Sequence, residues 1–161
     1  YIQMGLHAVI VNPSRVFGPG LPSPSNGLRP IVKKAMQKRM ILLPGKTSVI
    51  GNYAYIDDVV NGHINAMLKG GCGERYILGG ENKSIQDLID TIAGFTGPFP
   101  TISVPDPILK FLVNCSLAYK KITGQDAVYS ASGISRYARN TSFDCSKAIT
   151  LLHYNITPFT T

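Results

Sequence analysis

The sequence predicts an α/β fold, and three observations carry that prediction. The run Val9-Ile10-Val11 is apolar and β-branched, which is typical of a strand covered on both faces and flanked by parallel neighbours. A polar loop rich in Pro, Ser and Gly follows over 13–26. Farther along, segments with helical spacing alternate with short apolar strands. We therefore expect a buried strand over 6–12 with a ligand-facing loop at its carboxyl end.

The remaining elements follow from periodicity and end signals. In chain order we predict a helix over 28–39, strands over 40–43 and 52–56, a helix over 57–69, a strand over 76–78, a helix over 84–95, a strand over 101–104, a helix over 106–123 and a short helix over 145–152. Asn26 is the cap candidate of the first helix, and Ser84 with Asp87 resembles a capping box. A polar helix is possible over 125–139, and the tail from Tyr154 is expected to fray.

The helix over 106–123 has an unusually broad apolar face. Asp106-Pro107 is typical of a helix start, and Gly124 of a helix end. A face of this width is either deeply buried or covers a partner that is missing from this chain.

Composition narrows the possible partners. The 161 residues carry a formal net charge of +7, with basic clusters at 33–34, 38–39 and 120–121. Such charge is compatible with nucleic acid, but the first two clusters share an amphipathic helix and fit its solvated face, so we expect no nucleic-acid partner. Three scattered cysteines and three scattered histidines encode neither a disulfide framework nor a metal site. No segment is long enough to cross a bilayer and no leader precedes the first strand, so we expect no membrane partner and a cytoplasmic location.

Four ordered motifs resemble the carboxyl-terminal part of the extended short-chain dehydrogenase/reductases. They are Asn-Pro-Ser-Arg-Val-Phe-Gly-Pro-Gly over 12–20, Tyr-Ile-Asp-Asp-Val-Val-Asn-Gly-His over 55–63, Gly-Glu-Arg-Tyr-Ile-Leu-Gly-Gly-Glu-Asn over 73–82 and Phe-Asp-Cys-Ser-Lys-Ala over 143–148. Within that superfamily the sequences of these motifs most resemble those of the dihydroflavonol-reductase-like members and of the NAD-dependent epimerases and dehydratases. The resemblance covers nearly the whole chain.

The resemblance implies the carboxyl-terminal part of a Rossmann-like, doubly wound sheet together with the small substrate-binding domain, as a single fragment over 1–161. The family's Gly-rich fingerprint does not occur here, and none of the eight tyrosines is followed four residues later by lysine. We therefore expect a portion of an NAD- or NADP-dependent oxidoreductase or epimerase that lacks the amino-terminal dinucleotide-binding half and is inert alone. The alternative is a non-catalytic binding or regulatory module derived from a reductase.

The resemblance also assigns roles to residues of the first loop. Pro13, Ser14 and Val16 match the loop that packs on the nicotinamide ring, although the residues alone would also fit a strand-terminating turn. Phe17, Pro19 and Leu21 match the segment lining the substrate pocket, with disorder as the competing interpretation.

Farther along, Tyr55 matches an aromatic residue near the substrate. Asp57 and Asp58 are expected to cap a helix rather than to form a catalytic carboxylate pair. Arg136 resembles a residue that grips a substrate diphosphate, and its alternative is a solvent-exposed helix face. No catalytic residue is expected.

The predicted buried strand over 6–12 lacks the neighbours such a strand requires. We therefore expect the chain to self-associate as a homo-oligomer through this segment.

Overall fold

The computed structural model describes residues 5–20, 28–124 and 140–159. Its strands are β1 (Ile10–Pro13), β2 (Arg15–Phe17), β3 (Ile41–Pro44), β4 (Ile50–Tyr55), β5 (Arg75–Leu78), β6 (Glu81–Ser84) and β7 (Thr101–Val104). Its helices are α1 (Arg29–Met36), α2 (Ile56–Lys69), α3 (Ile85–Thr96), α4 (Asp106–Thr123) and α5 (Ser146–Leu152). The possible helix over 125–139 and the cap candidate Asn26 lie outside the described residues.

The strands form three small sheets, ordered β1-β5, β2-β4-β6 and β3-β7. The pairings β1–β5, β2–β4 and β3–β7 are all parallel. Parallel pairing between strands separated by helices is the hallmark of an α/β fold, so the predicted fold class is confirmed.

The chain divides into two compact units. Unit 1 comprises 1–29, 52–83 and 141–161, and unit 2 comprises 30–51 and 84–140. Unit 1 is centred on β5, against which α2 and α5 pack around buried apolar side chains: Ala66, Tyr76, Leu78, Ala148, Leu152 and Tyr154. A Cβ atom on Gly62 of α2 would lie 2.9 Å from side-chain atoms of both Leu78 and Tyr154, so only glycine permits this close helix packing.

Unit 2 is built from the parallel pair β3–β7 with helix α1 from Pro30 onward and helices α3 and α4. Its buried apolar residues include Ile41 and Leu43 of β3, Val104 of β7, and four residues of α3: Ile85, Leu88, Ile89 and Ile92. Helix α3 begins at the predicted capping box, because Ser84 Oγ accepts from the Asp87 backbone N–H and the Asp87 carboxylate accepts from the Ser84 N–H.

The first strand differs from its prediction. It begins at Ile10 rather than Leu6, and Ile10 is 45% exposed instead of buried. Within the described residues β1 has only β5 as a neighbour, so nothing there covers its other edge. The apolar sequence of β1 is typical of a strand that is buried on both sides. The described part of the chain supplies no second strand beside it.

Two strands were missed, and the tail was predicted wrongly. Both β2 and β6 contain polar residues and stand next to turns, so neither shows a strand pattern in sequence. The tail does not fray at Tyr154. Its ring is buried in the core of unit 1, and its hydroxyl donates to the Gly79 carbonyl at 2.8 Å.

Helix α4 has the predicted bounds, but its apolar face is not deeply buried. Most of its large apolar residues are exposed: Ile108, Phe111, Leu112, Leu117, Tyr119 and Ile122. Of the two interpretations of this face, burial within the described chain is therefore wrong.

Candidate functional site

The candidate site lies in unit 1, where β1 and β5 end at the same edge of their parallel sheet. Residue Pro13 pairs with Leu78 at the end of this ladder, and the Ser14 backbone N–H donates to the Leu78 carbonyl at 3.2 Å. Ligands of open α/β sheets bind outside the carboxyl ends of the strands. The turn after β1 and the Gly79-Gly80 turn after β5 therefore meet where such a ligand would lie.

Ser14 is the unusual residue of this edge. Its hydroxyl oxygen is buried and has no hydrogen-bond partner within the described part of the chain. Leaving a buried hydroxyl unsatisfied costs about 1–3 kcal/mol of folding free energy, and native proteins rarely accept that cost. A serine hydroxyl can act as either a donor or an acceptor, and neither role of the Ser14 hydroxyl is used within the described residues.

The Gly79-Gly80 turn is fixed by a buried amide. Asn52, at 1% exposure, donates to the Gly80 carbonyl at 2.7 Å and accepts the Gly80 backbone N–H at 2.8 Å. A Cβ atom on Gly80 would lie 1.8 Å from the Tyr53 carbonyl oxygen, so β4 approaches this turn more closely than any side chain would permit. Sequence analysis did not single out Asn52, although an amide inside the apolar pattern of β4 is a signal for a buried polar contact.

Strand β2 sorts the predicted site residues onto two faces. It pairs with β4 so that Arg15 lies opposite Tyr53, Val16 opposite Ala54 and Phe17 opposite Tyr55. Because strand side chains alternate, Val16 lies on one face while Arg15 and Phe17 share the other. The residue predicted to contact the nicotinamide and the one predicted to contact the substrate therefore occupy opposite faces of one short strand.

The Phe17 face is an aromatic cluster with one cation. The Phe17 ring lies 5.7 Å from the Tyr55 ring and 4.8 Å from the Phe159 ring, measured between centroids. The Arg15 guanidinium lies 5.6 Å above the Tyr53 ring and donates to the Tyr53 hydroxyl at 3.3 Å.

The positive charge of Arg15 affects the pKa of the Tyr53 phenol. Burial raises the pKa of Tyr53, and the positive charge of Arg15 and its hydrogen bond partly oppose that rise. The phenol therefore stays protonated at neutral pH and presents a neutral hydroxyl to the cluster.

The carboxyl-terminal tail contributes to the same cluster. Thr157 donates from its backbone N–H and its hydroxyl to the Asp58 carboxylate, at 2.7 and 3.0 Å, and the Phe159 N–H donates to Glu81 at 2.7 Å. These bonds hold the Phe159 ring against Phe17. The tail was predicted to be frayed, so sequence analysis missed this contribution.

Asp57 and Asp58 do not have the predicted capping role. Helix α2 begins after Tyr55 without a side-chain cap, and both acids stand in its first turn. Asp58 is buried and binds the tail, while Asp57 is exposed. Both still interact favourably with the positive end of the helix dipole.

The other predicted site residues are dispersed or undescribed. Pro19 is exposed just beyond β2, and Leu21 and Arg136 lie outside the described residues. Within the described ranges no group of three or more His, Cys, Asp or Glu side chains could hold a metal ion. None of the helices described is long and apolar enough to cross a membrane.

Comparison with known proteins shows which proteins this chain is similar to. The profile of the NAD dependent epimerase/dehydratase family matches residues 2–79. A protein of Synechocystis sp. named "Putative dihydroflavonol 4-reductase" is 30% identical over 157 residues, which are 91% of this chain and 43% of that protein. The chain thus spans less than half of this curated relative.

Solved structures show the same fold. The crystal structure of gox2253 is 26% identical, with a TM-score of 0.63 over 91% of this chain and 44% of its own. The UDP-glucuronic acid 4-epimerase of Bacillus cereus, solved with UDP-glucuronic acid and NAD, has a TM-score of 0.66 over 96% of this chain and 41% of its own, at 22% identity. The RMD protein of Pseudomonas aeruginosa, solved with NADPH, has a TM-score of 0.66 at 13% identity, over 97% of this chain and 45% of its own. The predicted resemblance to the NAD-dependent epimerase/dehydratase family and the Rossmann-like fold are confirmed.

Proposed function

We propose that this chain, similar to the NAD-dependent epimerases and dehydratases, is the substrate-binding, carboxyl-terminal portion of an NAD- or NADP-dependent oxidoreductase or epimerase. The reaction proposed for the whole protein moves a hydride to or from a carbonyl or hydroxyl carbon of a small organic or sugar-nucleotide substrate. The nicotinamide would supply or accept that hydride. The relatives solved with NAD, NADPH or UDP-glucuronic acid support these ligand classes.

The observation that carries the proposal is the buried Ser14 hydroxyl. It has no partner in the described part of the chain, and it lies at the strand edge where α/β folds bind ligands. A nicotinamide carboxamide offers both a donor and an acceptor, so it fits a hydroxyl that can play either role. The residues present at this edge therefore fit the proposed cofactor.

The neighbouring residues would orient the two ligands. Pro13 has a fixed backbone and no N–H, and Val16 adds an apolar surface on its own face of β2. Phe17 and Tyr55, with Pro19, Leu21 and Arg136, would contact the substrate. Holding two reactants in a productive orientation lowers a barrier without supplying any proton, and positioning of this kind is the contribution we assign to the chain.

No residue of this chain is proposed as the catalytic acid or base. The sequence contains no tyrosine followed four residues later by lysine, so the chain alone is expected to be inert. The same observation favours a second candidate, a binding or regulatory module derived from a reductase. The coding sequence upstream of Tyr1 distinguishes the two, because an enzyme requires a Gly-rich loop and that tyrosine–lysine pair in frame.

The two units suggest a division of labour. We propose that unit 1 belongs to the doubly wound sheet and unit 2 to the substrate-binding subdomain. We further propose that the chain forms a homo-oligomer through the edge of β1 that no described strand covers. The three free cysteines, two of them exposed, support a reducing compartment such as the cytoplasm.

A steric block tests the proposed function. In the full-length protein that contains this chain, Val16→Trp should abolish NADH and NADPH binding in titration calorimetry and leave the melting temperature nearly unchanged. The matched control is Val60→Trp, which places the same ring on an exposed position of α2. If Val16→Trp bound the cofactor with unchanged affinity, the motif over 12–20 would have to be interpreted as an ordinary strand-terminating turn.

A further inference from the structure

The Gly79-Gly80 turn has a backbone that side chains of the protein already occupy. The Gly79 carbonyl accepts from the Tyr154 hydroxyl at 2.8 Å. The Gly80 carbonyl and the Gly80 N–H both bind the Asn52 amide, at 2.7 and 2.8 Å. A loop that cradles phosphate needs free backbone N–H groups, and the Gly80 N–H is not free. The turn is therefore better suited to be a fixed wall of the candidate site than an anion-binding loop.

Asn52 fixes this wall through its whole side-chain amide. Its Nδ2 donates to the Gly80 carbonyl and to Asn82 Oδ1, at 2.7 and 2.8 Å, while its Oδ1 accepts the Gly80 N–H. Both amide hydrogens and the carbonyl oxygen are thus in use. Asn52 and Gly80 are both buried, so loss of this amide would leave the Gly80 backbone groups without partners. A buried network that is satisfied in this way favours one arrangement of the turn.

The turn is connected to Ser14 through one carbonyl. The Ser14 N–H donates to the Leu78 carbonyl at 3.2 Å. That carbonyl belongs to the planar peptide group between Leu78 and Gly79, so its direction changes whenever Gly79 moves. Asn52 and Tyr154 hold the turn and thereby fix the acceptor to which the Ser14 backbone is bound.

Strand β4 provides a second connection between Asn52 and Ser14. Arg15 lies opposite Tyr53 in the parallel pairing of β2 with β4. The same register, continued one residue toward the amino terminus, brings Ser14 opposite Asn52. Ser14 thus lies between two ladders, one that ends at Pro13 and one that begins at Arg15. Asn52 is linked to the first ladder through the turn after β5 and to the second by its place in β4.

We propose, on the basis of the function proposed above, that Asn52 is a positioning residue that holds the Ser14 hydroxyl where a nicotinamide carboxamide binds it. Within the described residues this hydroxyl has no hydrogen bond that would set its direction, so its place depends on the backbone around it. A binding group is effective only when neighbouring residues lock its position. Asn52 does not contact the cofactor, because its amide is already bonded within the protein.

A double-mutant cycle on cofactor affinity tests this role. In the full-length protein that contains this chain, Asn52→Ser replaces the amide with a side chain too short to hold both backbone groups of Gly80. It should weaken NADH or NADPH binding about fivefold in titration calorimetry. In the Ser14→Ala background the same substitution should change the affinity less than about twofold, because no hydroxyl is left to position. An equal loss in both backgrounds would overturn the proposal, since Asn52 would then act independently of Ser14.

The matched control is Val59→Ala on α2. Val59 is likewise buried in unit 1, at 5% exposure, and lies outside the turn. This substitution should lower the melting temperature, as Asn52→Ser does, and leave the cofactor affinity within about twofold of the parent. If Val59→Ala lost as much affinity as Asn52→Ser, general destabilisation would explain both losses and the proposal would be wrong.

Tyr154→Phe tests the same turn if Asn52→Ser does not fold. It removes only the bond to the Gly79 carbonyl and retains the buried ring. Its cofactor affinity should fall about threefold in the parent background and stay unchanged in the Ser14→Ala background. Unchanged affinity in the parent background would show that the turn does not position Ser14, and it would overturn the proposal.

Two outcomes separate this role from the proposed function. If the parent binds neither NADH nor NADPH, or if Ser14→Ala binds the cofactor as tightly as the parent, the proposed function is wrong and the role of Asn52 is overturned with it. If Ser14→Ala weakens binding and Asn52→Ser does not, only the role of Asn52 is overturned.

Discussion

Two buried tyrosines show how single residues link this fold to pH. Burial raises the pKa of Tyr154, and the nearby Asp58 carboxylate raises it further. Burial also raises the pKa of Tyr53. In an unfolded chain both phenols would ionise near pH 10. Above that pH the unfolded state releases protons that the folded state retains, so stability is full below about pH 10 and is lost as pH rises toward the folded-state pKa values.

Tyr154→Phe tests this linkage. It removes the hydroxyl that donates to the Gly79 carbonyl, so the free energy of unfolding at pH 7 should fall by about 1–2 kcal/mol. The substitution also removes the Tyr154 phenol, whose pKa is raised in the folded state. The free energy of unfolding should therefore fall less steeply with pH above about pH 10 than it does in the parent. Urea unfolding at pH 7 and at several alkaline values measures both effects. Parallel curves for parent and variant at high pH would contradict the assignment.

At the scale of elements, the tail over 154–159 connects several parts of unit 1, and we call this segment the strap. Asp58 of α2 holds Thr157, Glu81 of β6 holds the Phe159 backbone, and the Phe159 ring then packs on Phe17 of β2. Three elements far apart in sequence thus meet through one short segment. The cluster that we assign to substrate contact depends on this arrangement.

The two neighbouring acids of α2 give a matched test of the strap. Asp58→Asn should lower the free energy of unfolding by about 1.5–3 kcal/mol, because it weakens two hydrogen bonds to a buried carboxylate. Asp57→Asn changes the same charge at an exposed position and should fall within about 0.5 kcal/mol of the parent. Equal effects of the two substitutions on the urea midpoint would show that these acids stabilise the protein through the dipole of α2 and not by binding the tail.

Elements with strong local signals could be predicted from sequence, and those defined by distant partners could not. Helix α4 has its predicted bounds because Asp106-Pro107 and Gly124 mark its ends, and α3 because Ser84 and Asp87 form a capping box. Strand β2 has only three residues and strand β6 is polar, so only their pairing with β4 reveals them. The motif over 12–20 pointed to Ser14, but the lack of a partner for its hydroxyl could appear only once its surroundings were known.

At the scale of the whole molecule, strand β1 predicts self-association. Among the described residues no strand pairs with its second edge, and Leu6, which precedes the strand, and Ile10, its first residue, are exposed. The 161-residue chain should form a dimer or larger oligomer whose interface includes residues 6–12. Light scattering at several concentrations measures the mass, and hydrogen exchange locates the protected amides. A monomer with a protected 6–12 segment would show that the chain covers this strand by itself.

We propose that the Ser14 hydroxyl, which has no hydrogen-bond partner among the described residues, binds a nicotinamide cofactor, and Ser14→Ala tests this proposal most directly. Without ligand, urea unfolding should show Ser14→Ala to be more stable than the parent by about 1 kcal/mol, because the variant no longer buries an unsatisfied hydroxyl. In the full-length protein the same change should weaken NADH or NADPH binding about tenfold, measured by calorimetry. A variant that is less stable than the parent, or that binds the cofactor with unchanged affinity, would contradict the claim.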